Sequence, residues 1–315
     1  MQKSDSILVV GHQDIIEGSI CARLTSEGYS RVFSSSQIGL NPTIQTSVYE
    51  FFQENRPQYV FLASTRSGGI QANIERGGEF MYHNLQSQSN FIYAAQKFGT
   101  KKLMFFAGSC VYPNKCTQPM TEDMLLTGPL EETSEPYALA KLAGLKLCQA
   151  YKRQYGLNAI VAVPATIYGP GSDTDLPTAH VMGALIAKFV DAKKNKENKV
   201  TVWGSGTPRR EFLFVDDFVD ASLFLMERYQ EEKHINVGFG NDVSIKELAK
   251  LIASVIGFDG DIVFDQTKPD GTKQKLLDSS RINKMGWKPK IDLKTGIRQT
   301  VDWYQRVQKE TACAS

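Results

Sequence analysis

The sequence lacks both a long hydrophobic run and a pattern of paired cysteines. No apolar segment approaches the roughly 18 residues that a membrane-spanning helix requires, at the N-terminus or elsewhere. The five cysteines are an odd number without CxxC spacing, which is typical of reduced thiols rather than of a disulfide framework. These absences predict a cytoplasmic protein that is not held in a membrane.

Histidine is scarce, and the charge is nearly balanced. The four histidines, at positions 12, 83, 180 and 234, are too scattered to form a metal-binding motif. With 36 basic and 34 acidic residues the net charge is +2, which offers no broad surface for nucleic acid. We therefore expect neither a metal site nor a nucleic-acid partner.

Short apolar runs alternate with longer amphipathic segments up to about residue 170. The predicted buried strands are Ile7–Val10, Arg31–Phe33, Tyr59–Ala63, Leu103–Ala107 and Ala159–Pro164. Because strands that alternate with helices form a covered parallel sheet, we predict an α/β fold. The expected architecture is a Rossmann-type doubly wound parallel sheet with a smaller α/β substrate-binding lobe. The first domain would comprise residues 1–170 and about 213–240, and the second about 171–212 and 241–315.

Polar and glycine-rich segments follow several of these strands. Doubly wound sheets bind ligands beyond the carboxyl ends of their strands. The candidate binding segments are therefore Gly11-His12-Gln13, Ser64-Thr65-Arg66, Gly108-Ser109-Cys110 and Ala165-Thr166.

Tyr137 and Lys141 are four residues apart in a predicted helix, so their side chains share one face. An ammonium group beside a phenol favours the phenolate, which suits proton exchange with a carbonyl or an alcohol. An exposed helical pair without function is the competing interpretation.

Further motifs accompany this pair along the chain. They are Ser109-Cys110-Val111-Tyr112-Pro113, Tyr168-Gly169-Pro170, His180-Val181, the segment 202–208, Arg210-Glu211-Phe212-Leu213 and the segment 268–272. With these residues the chain, from about Ile7 to Trp303, resembles the extended short-chain dehydrogenase/reductases. Within that superfamily it is similar to the GDP-L-fucose synthases, which epimerise and reduce GDP-4-keto-6-deoxy-D-mannose.

The resemblance implies a role for each matching residue. Cys110 would be the base and His180 the acid that invert C3 and C5 beside the 4-keto group. Tyr137 would protonate the C4 oxygen, and Lys141 would hold the nicotinamide ribose and lower the pKa of the tyrosine. Without the resemblance, a buried core cysteine and a loop histidine would be the simpler interpretations.

The implied site residues form three sets, and no metal ligand is among them. The catalytic set is Tyr137, Lys141, Cys110, His180 and Ser109. The cofactor-binding set is Gly11, His12, Gln13, Gly18, Tyr137, Lys141, Pro164 and His180. The substrate-binding set is Lys188, Trp203, Arg210 and Asp270, with Arg210 pairing with the diphosphate.

Departures from the family pattern concentrate on the reductive half of the reaction. Two expected glycine positions of the dinucleotide loop hold Asp14 and Glu17, whose carboxylates would repel a pyrophosphate. Gln13 and Gln37 stand where NADPH-using members carry arginine. Gly108 replaces the serine or threonine that binds the substrate carbonyl.

The leading hypothesis is an epimerase-reductase acting on a GDP-linked 4-keto-deoxy sugar. The resemblance implies NADP(H) as its cofactor, whereas Gln13 and Gln37 leave NAD(H) open. The alternatives are an epimerase that does not reduce and a non-catalytic paralogue that binds the sugar nucleotide. The resemblance also implies a homodimer, for which the apolar stripe after Glu135 would supply the contact, although packing within the monomer would explain that stripe equally well.

Overall fold

A six-stranded, all-parallel sheet lies at the centre of the larger lobe, in the order β2-β1-β3-β4-β5-β9. The computed structural model describes residues 1–12, 14–63, 66–176 and 178–314, with side chains to residue 310. The strands are β1 Ser6–Val10, β2 Arg31–Ser34, β3 Tyr59–Leu62, β4 Lys102–Phe106, β5 Ala159–Pro164, β6 Thr166–Tyr168, β7 Lys199–Trp203, β8 Arg209–Phe214, β9 Ile235–Val237, β10 Asp242–Ser244, β11 Asp261–Asp265 and β12 Gln274–Lys275. Strand order reverses between β1 and β3, which is where a doubly wound sheet opens a ligand crevice.

Helices cover both faces of this sheet. The helices of both lobes, in chain order, are α1 Ile15–Ser26, α2 Gln45–Asn55, α3 Ile70–Lys97, α4 Glu135–Tyr155, α5 Val181–Lys194, α6 Val215–Arg228, α7 Ile245–Ile256, α8 Ser280–Lys284 and α9 Leu293–Ala314. Proline in the first turn suits the start of α4, since its missing N–H has no partner there in any helix. Gly156 ends α4 with φ +68°, a conformation that favours glycine.

The smaller lobe is built on β8, which pairs with β6, β10 and β12. A separate parallel pair joins β7 to β11. Helix α7 begins with the predicted capping box, in which Ser244 and Glu247 satisfy each other's backbone N–H groups. The chain re-enters the larger sheet at β9, after the second sheet has begun, so the two lobes share the chain discontinuously.

The predicted fold class is confirmed. Each of the five predicted strands of the larger sheet exists, with ends within one residue of the expected positions. Strands β1 and β4 are buried along their whole length, because helices lie over both faces of a parallel sheet. The proposed domain boundaries near residues 170, 213 and 240 stay a prediction.

None of the helices described is long and apolar enough to cross a membrane. Within the described ranges, no cluster of histidine, cysteine or acidic side chains could hold a metal ion. Cys21, Cys110, Cys116 and Cys148 are all free thiols.

Candidate active site

The turn after β4 brings Cys110 and Tyr137 together. Gly108 leaves the strand in an extended conformation, and a short 3₁₀ turn, Ser109–Val111, follows it. A methyl group placed on Gly108 would lie 3.5 Å from the sulfur of Cys110 and 3.5 Å from the hydroxyl oxygen of Tyr137. Position 108 therefore adjoins both reactive groups, as the site of a carbonyl-binding hydroxyl must. Ser109 is half-buried in the same turn.

Lys141 is buried one helical turn after Tyr137 and anchors α4 to the end of β4. Its ammonium donates a hydrogen bond of 2.9 Å to the Phe106 carbonyl oxygen. Burial lowers the pKa of Lys141 to about 8, because a charged amine loses hydration there. The lysine thus reaches the crevice at the carboxyl edge of the sheet.

The expected lowering of the tyrosine pKa is wrong for this structure. Burial raises the pKa of Tyr137 well above its usual value of 10.0, and the nearby Cys110 adds to the rise. The physical reason is that α4 directs the Lys141 ammonium to a backbone carbonyl, while the half-buried phenol faces a thiol. A neutral phenol is a proton donor, which suits protonation of a carbonyl oxygen.

The pKa values of Cys110 and His180 are shifted in opposite directions. Burial raises the pKa of Cys110, whereas the positive charges of Lys275 and Lys141 lower it. His180 precedes the first residue of α5 and remains open to solvent in the cleft. Loss of hydration against the neighbouring protein lowers its pKa, and the negative charge of Asp173 opposes that change. The sequence argument that both groups titrate near neutral pH therefore does not hold, since neighbouring protein favours the neutral thiol and the neutral imidazole.

Lys275 is a site residue that sequence reasoning missed. It lies on β12 directly beside Arg210 of β8, and its charge influences the pKa values of both Cys110 and His180. Burial lowers the pKa of Lys275 itself, and Cys110 partly offsets the change. The signal was weak, because a lysine within Lys273-Gln274-Lys275 reads as part of a solvated surface.

The predicted substrate-binding residues lie on the smaller lobe. Lys188 of α5 donates to the Thr201 carbonyl oxygen at 3.0 Å, and its ammonium lies 5.5 Å from the centre of the Trp203 ring. Asp270 accepts hydrogen bonds from the backbone N–H and the hydroxyl of Ser205. The Trp203 ring is half exposed, with 50% of its surface accessible, so a ligand can reach it.

Arg210 is held at the same edge by backbone carbonyls. Its guanidinium donates to the carbonyl oxygens of Arg209 at 2.9 Å and Thr272 at 2.6 Å. A methyl group on Gly271 would lie 3.5 Å from the Arg210 Nη2 atom. These contacts fix one side of the guanidinium and leave part of its donor fork for a phosphate.

Two acidic side chains, Asp14 and Glu17, lie where the loop after β1 leads into α1. Asp14 caps α1, and its carboxylate accepts the Glu17 N–H at 2.9 Å. Glu17 is buried, with 1% of its surface exposed, and a methyl group on Gly11 would lie 2.5 Å from the Glu17 Cβ. Gly11 is therefore required for this close approach. Gly18 is exposed within α1, where a side chain would meet nothing within 4 Å.

Three serines at the end of β2, Ser34 to Ser36, surround the Glu17 carboxylate. One oxygen accepts from the Ser34 hydroxyl at 2.9 Å, the Ser35 hydroxyl at 3.1 Å and the Ser36 N–H at 3.0 Å. The other accepts from the Ser36 hydroxyl at 2.6 Å. Ser35 also accepts the Gly11 N–H at 3.0 Å, so loop, helix and strand end form one network.

The remaining predicted cofactor residues border the same crevice. His12 is half-buried in the loop, and burial is the main cause that lowers its pKa. Pro164 ends β5 and is buried. Gln13, Ser64 and Thr65 lie outside the described residues, so their prediction stays as it was. Gln37 is exposed beside the serines.

The residues present fit a dinucleotide at both ends of the crevice. Tyr137 and Lys141 are the residues that would hold the nicotinamide end, next to Gly108. A cavity of about 670 Å³ between α1 and the end of β2 has room for an adenosine. Among the described residues that line it are Asp14, Glu17, Ser36 and Gln37.

Comparison with known proteins places this arrangement in a family. Residues 7–238 match the NAD dependent epimerase/dehydratase family. The chain is 46% identical over 304 residues to a protein named Putative GDP-L-fucose synthase 2 from Arabidopsis thaliana, covering 96% of this chain and 93% of that protein. It is 41% identical over 307 residues to the GDP-L-fucose synthase of Escherichia coli (strain K12), covering 95% and 96%.

A solved structure agrees with these sequence relatives. It is MlghC, a GDP-mannoheptose C4 reductase from Campylobacter jejuni with NADP bound, which is 33% identical and superposes with a TM-score of 0.88. The superposition covers 97% of this chain and 99% of that chain. The chain therefore belongs to the NAD dependent epimerase/dehydratase family, and within it to the GDP-L-fucose synthase group.

Proposed function

We propose that this protein is an epimerase-reductase for a GDP-linked 4-keto-deoxy sugar. The observation that carries the proposal is the convergence of the Cys110 sulfur and the Tyr137 hydroxyl on position 108. A thiol and a phenol at one point can act on adjacent atoms of a ketone: the thiolate on a C–H beside the carbonyl, and the phenol on its oxygen. Named relatives at 41–46% identity are GDP-L-fucose synthases, which supports the same substrate class.

The protein groups would divide the epimerisation between them. Cys110, as thiolate, would remove the proton from C3 or C5, and His180 would return a proton to the opposite face. Lys275 and Lys141 oppose the cost of burying the thiolate, because their charges lower the pKa of Cys110. Both carbons lie beside the carbonyl, so one acid–base pair serves both inversions.

Tyr137 would complete the reduction. A bound reduced nicotinamide supplies the hydride to C4 of the sugar. Tyr137 donates its proton to the C4 oxygen, for which its raised pKa keeps the phenol protonated. The GDP portion would lie along the smaller lobe, with its diphosphate at Arg210 and its remaining groups at Lys188, Trp203 and Asp270.

The test is turnover of GDP-4-keto-6-deoxy-D-mannose in deuterated buffer with NADH, with NADPH and without cofactor. We expect deuterium at C3 and C5 and cofactor-dependent formation of a 4-hydroxy product. Cys110→Ser should lower exchange by at least about 100-fold, while Tyr137→Phe should abolish reduction and spare exchange. Cys148→Ala is the matched control, because its thiol is buried within α4. Failure to turn over any GDP-4-keto-6-deoxyhexose would refute the proposal.

An epimerase without reduction is the second candidate. The acidic loop and Gly108 favour it, since both changes weaken the reductive half and leave Cys110 and His180 in place. Solvent deuterium in the sugar without consumption of either nicotinamide would select this candidate. Binding of GDP with neither exchange nor reduction would select the non-catalytic paralogue, although such a paralogue has no chemical reason to retain all four reactive side chains.

We also propose that the protein forms a homodimer through α3 and α4. Large apolar or aromatic side chains are exposed on both helices: Tyr82 and Tyr93 on α3, Leu139 and Tyr155 on α4. Burying such side chains against a second copy would remove apolar surface from water. Light scattering after gel filtration should give twice the mass of the chain, and a monomer would refute the proposal. A cytoplasmic location also stays a prediction.

A further inference from the structure

Glu17 offers an inference about the cofactor that rests on the proposed reductase function. Helix α1 places its carboxylate at the end of β2, although Glu17 occupies a glycine position of the usual loop. In doubly wound dinucleotide-binding folds, the residue after the second strand contacts the 2′ position of the adenosine ribose. In this chain Ser34, Ser35 and Ser36 occupy that place, and all three donate hydrogen bonds to Glu17.

The serine hydroxyl groups that could bind a 2′-phosphate thus donate their hydrogen bonds to the Glu17 carboxylate. Ser36 is the clearest case, because both its N–H and its hydroxyl donate to Glu17, at 3.0 Å and 2.6 Å. A phosphate at the same place would have to displace the carboxylate or share donors with it. Either change leaves a buried charge less well satisfied.

The charge around the cavity between α1 and the end of β2 also disfavours a 2′-phosphate. The described residues that line it include Asp14 and Glu17 but no lysine or arginine. Gln37 stands at the rim, exposed and uncharged. A ribose with free hydroxyl groups suits this lining, whereas a 2′-phosphate brings about two negative charges beside the Glu17 carboxylate.

We infer that Glu17, held by Ser34–Ser36, is a specificity-determining residue that excludes the 2′-phosphate, so that the protein binds NAD(H) in preference to NADP(H). The inference departs from the NADP-bound relative, MlghC. It concerns only the adenosine end of the cofactor and leaves the roles of Cys110, Tyr137 and His180 unchanged.

Calorimetric titration of the purified full-length protein tests the inference with two pairs of probes. NADH is compared with NADPH, and 5′-AMP with adenosine 2′,5′-bisphosphate, which reports on the adenosine end alone. We expect the probe without a 2′-phosphate to bind at least about tenfold more tightly in each pair, since close like charges are strongly unfavourable. Equal or tighter binding of NADPH overturns the inference.

Two variants separate charge from structure. Gln37→Arg adds a forked cation at an exposed rim position and should raise the affinity for NADPH at least about tenfold with little effect on NADH. Gln37→Met is its uncharged control. Glu17→Gln removes the charge and should reduce the preference for NADH over NADPH. Circular dichroism and the melting temperature show whether this variant is folded. If folded Glu17→Gln and Gln37→Arg both keep the wild-type preference for NADH over NADPH, charge at this site does not set the preference and the inference is overturned.

A GDP titration distinguishes this inference from the proposed function. Binding of GDP with neither nicotinamide overturns the NAD(H) inference but leaves the epimerase candidate intact. Binding of NADH without turnover of any GDP-4-keto-6-deoxyhexose supports the inference and removes the reductase function.

Discussion

At the scale of single residues, Gly108 is the position most directly coupled to the chemistry. Its backbone is extended, with φ −151° and ψ 158°, so a residue with a side chain fits without strain. A Cβ there makes ordinary van der Waals contact with Cys110 and Tyr137. A hydroxyl on that Cβ would point into the site where the substrate carbonyl is expected.

We therefore expect Gly108→Ser to raise the rate of C4 reduction by about tenfold or more, because one well-placed donor to a developing oxyanion contributes on that scale. Single-turnover kinetics with NADH would measure it. Gly108→Ala, which adds the carbon without the hydroxyl, is the control. Equal effects of serine and alanine would show that the hydroxyl has no role.

The opposed pKa shifts of Cys110 and His180 predict an unusual pH profile. The pKa of Cys110 is raised above its usual value of 9.0, and that of His180 is lowered below 6.5. The active form needs thiolate and imidazolium together. Between the two pKa values the rising thiolate fraction cancels the falling imidazolium fraction, so deuterium exchange at saturating substrate should be flat between pH 6.5 and 9.0.

Below the pKa of His180 the exchange rate should fall because the thiolate is lost, and above the pKa of Cys110 it should fall because the imidazolium is lost. Lys275→Met should move the whole profile to higher pH, because loss of its charge raises the pKa values of both Cys110 and His180. Arg153→Met, a change at an exposed ion pair with Glu232, is the control for loss of a positive charge. A rate that climbs steadily through neutral pH would mean that His180 stays protonated across the window, against the lowered pKa of its imidazole.

At the scale of secondary-structure elements, Glu211 joins strands of the smaller lobe. It is 2% exposed on β8, and its carboxylate accepts the N–H groups of Gly240 at 2.6 Å and Leu277 at 2.9 Å. These bonds link β8 to the loop after β9 and to the segment after β12, the strand that carries Lys275. The site edge with Arg210 and Lys275 therefore depends on a buried carboxylate.

Glu211→Ala should destabilise the protein by about 2 kcal/mol or more, because two buried N–H groups lose their acceptor. Burial raises the pKa of Glu211 from 4.5 to about 7. The folded state then holds a proton that the unfolded state releases, so the group's contribution is complete below pH 4.5 and is lost as pH rises through 7.

Urea unfolding at several pH values would measure both effects. The wild-type protein should lose about 1–3 kcal/mol relative to Glu211→Ala between acidic and mildly alkaline pH. Asp261, exposed at the start of β11 and changed to alanine, serves as a control for loss of an acidic group in the smaller lobe. A wild-type advantage that grows with pH would contradict the raised pKa.

At the scale of the whole molecule, the two proposed ligand regions involve different sheets. The cofactor crevice belongs to the six-stranded sheet, and Lys188, Trp203, Arg210 and Asp270 belong to the smaller lobe. GDP alone should therefore bind and raise the melting temperature without any nicotinamide. Arg210→Met should weaken GDP binding at least about tenfold, because a charge-assisted contact to the diphosphate is lost.

Thermal unfolding with increasing GDP would check this expectation. Arg228→Met, at the end of α6 and away from the smaller lobe's ligand residues, is the matched control. An Arg210→Met protein that binds GDP like the wild type would remove the arginine from the diphosphate site.

Much of the fold and the composition of the site follow from the sequence alone. Alternating apolar and amphipathic segments determine a covered parallel sheet, since only that arrangement buries continuous apolar strands. The Tyr137/Lys141 spacing, the Cys110 and His180 motifs and the acidic loop are equally visible in the sequence. The predicted capping box of α7 formed because its interactions are local.

The tertiary structure decided how those residues interact. The direction of each pKa shift depends on burial and on charges from distant segments, so neither the raised pKa of Tyr137 nor the influence of Lys275 could be read from spacing. In the sequence Glu17 is an acid at a glycine position. Only the packing of α1 against β2 brings it to three serines 17 to 19 residues away and places it in the proposed cofactor site.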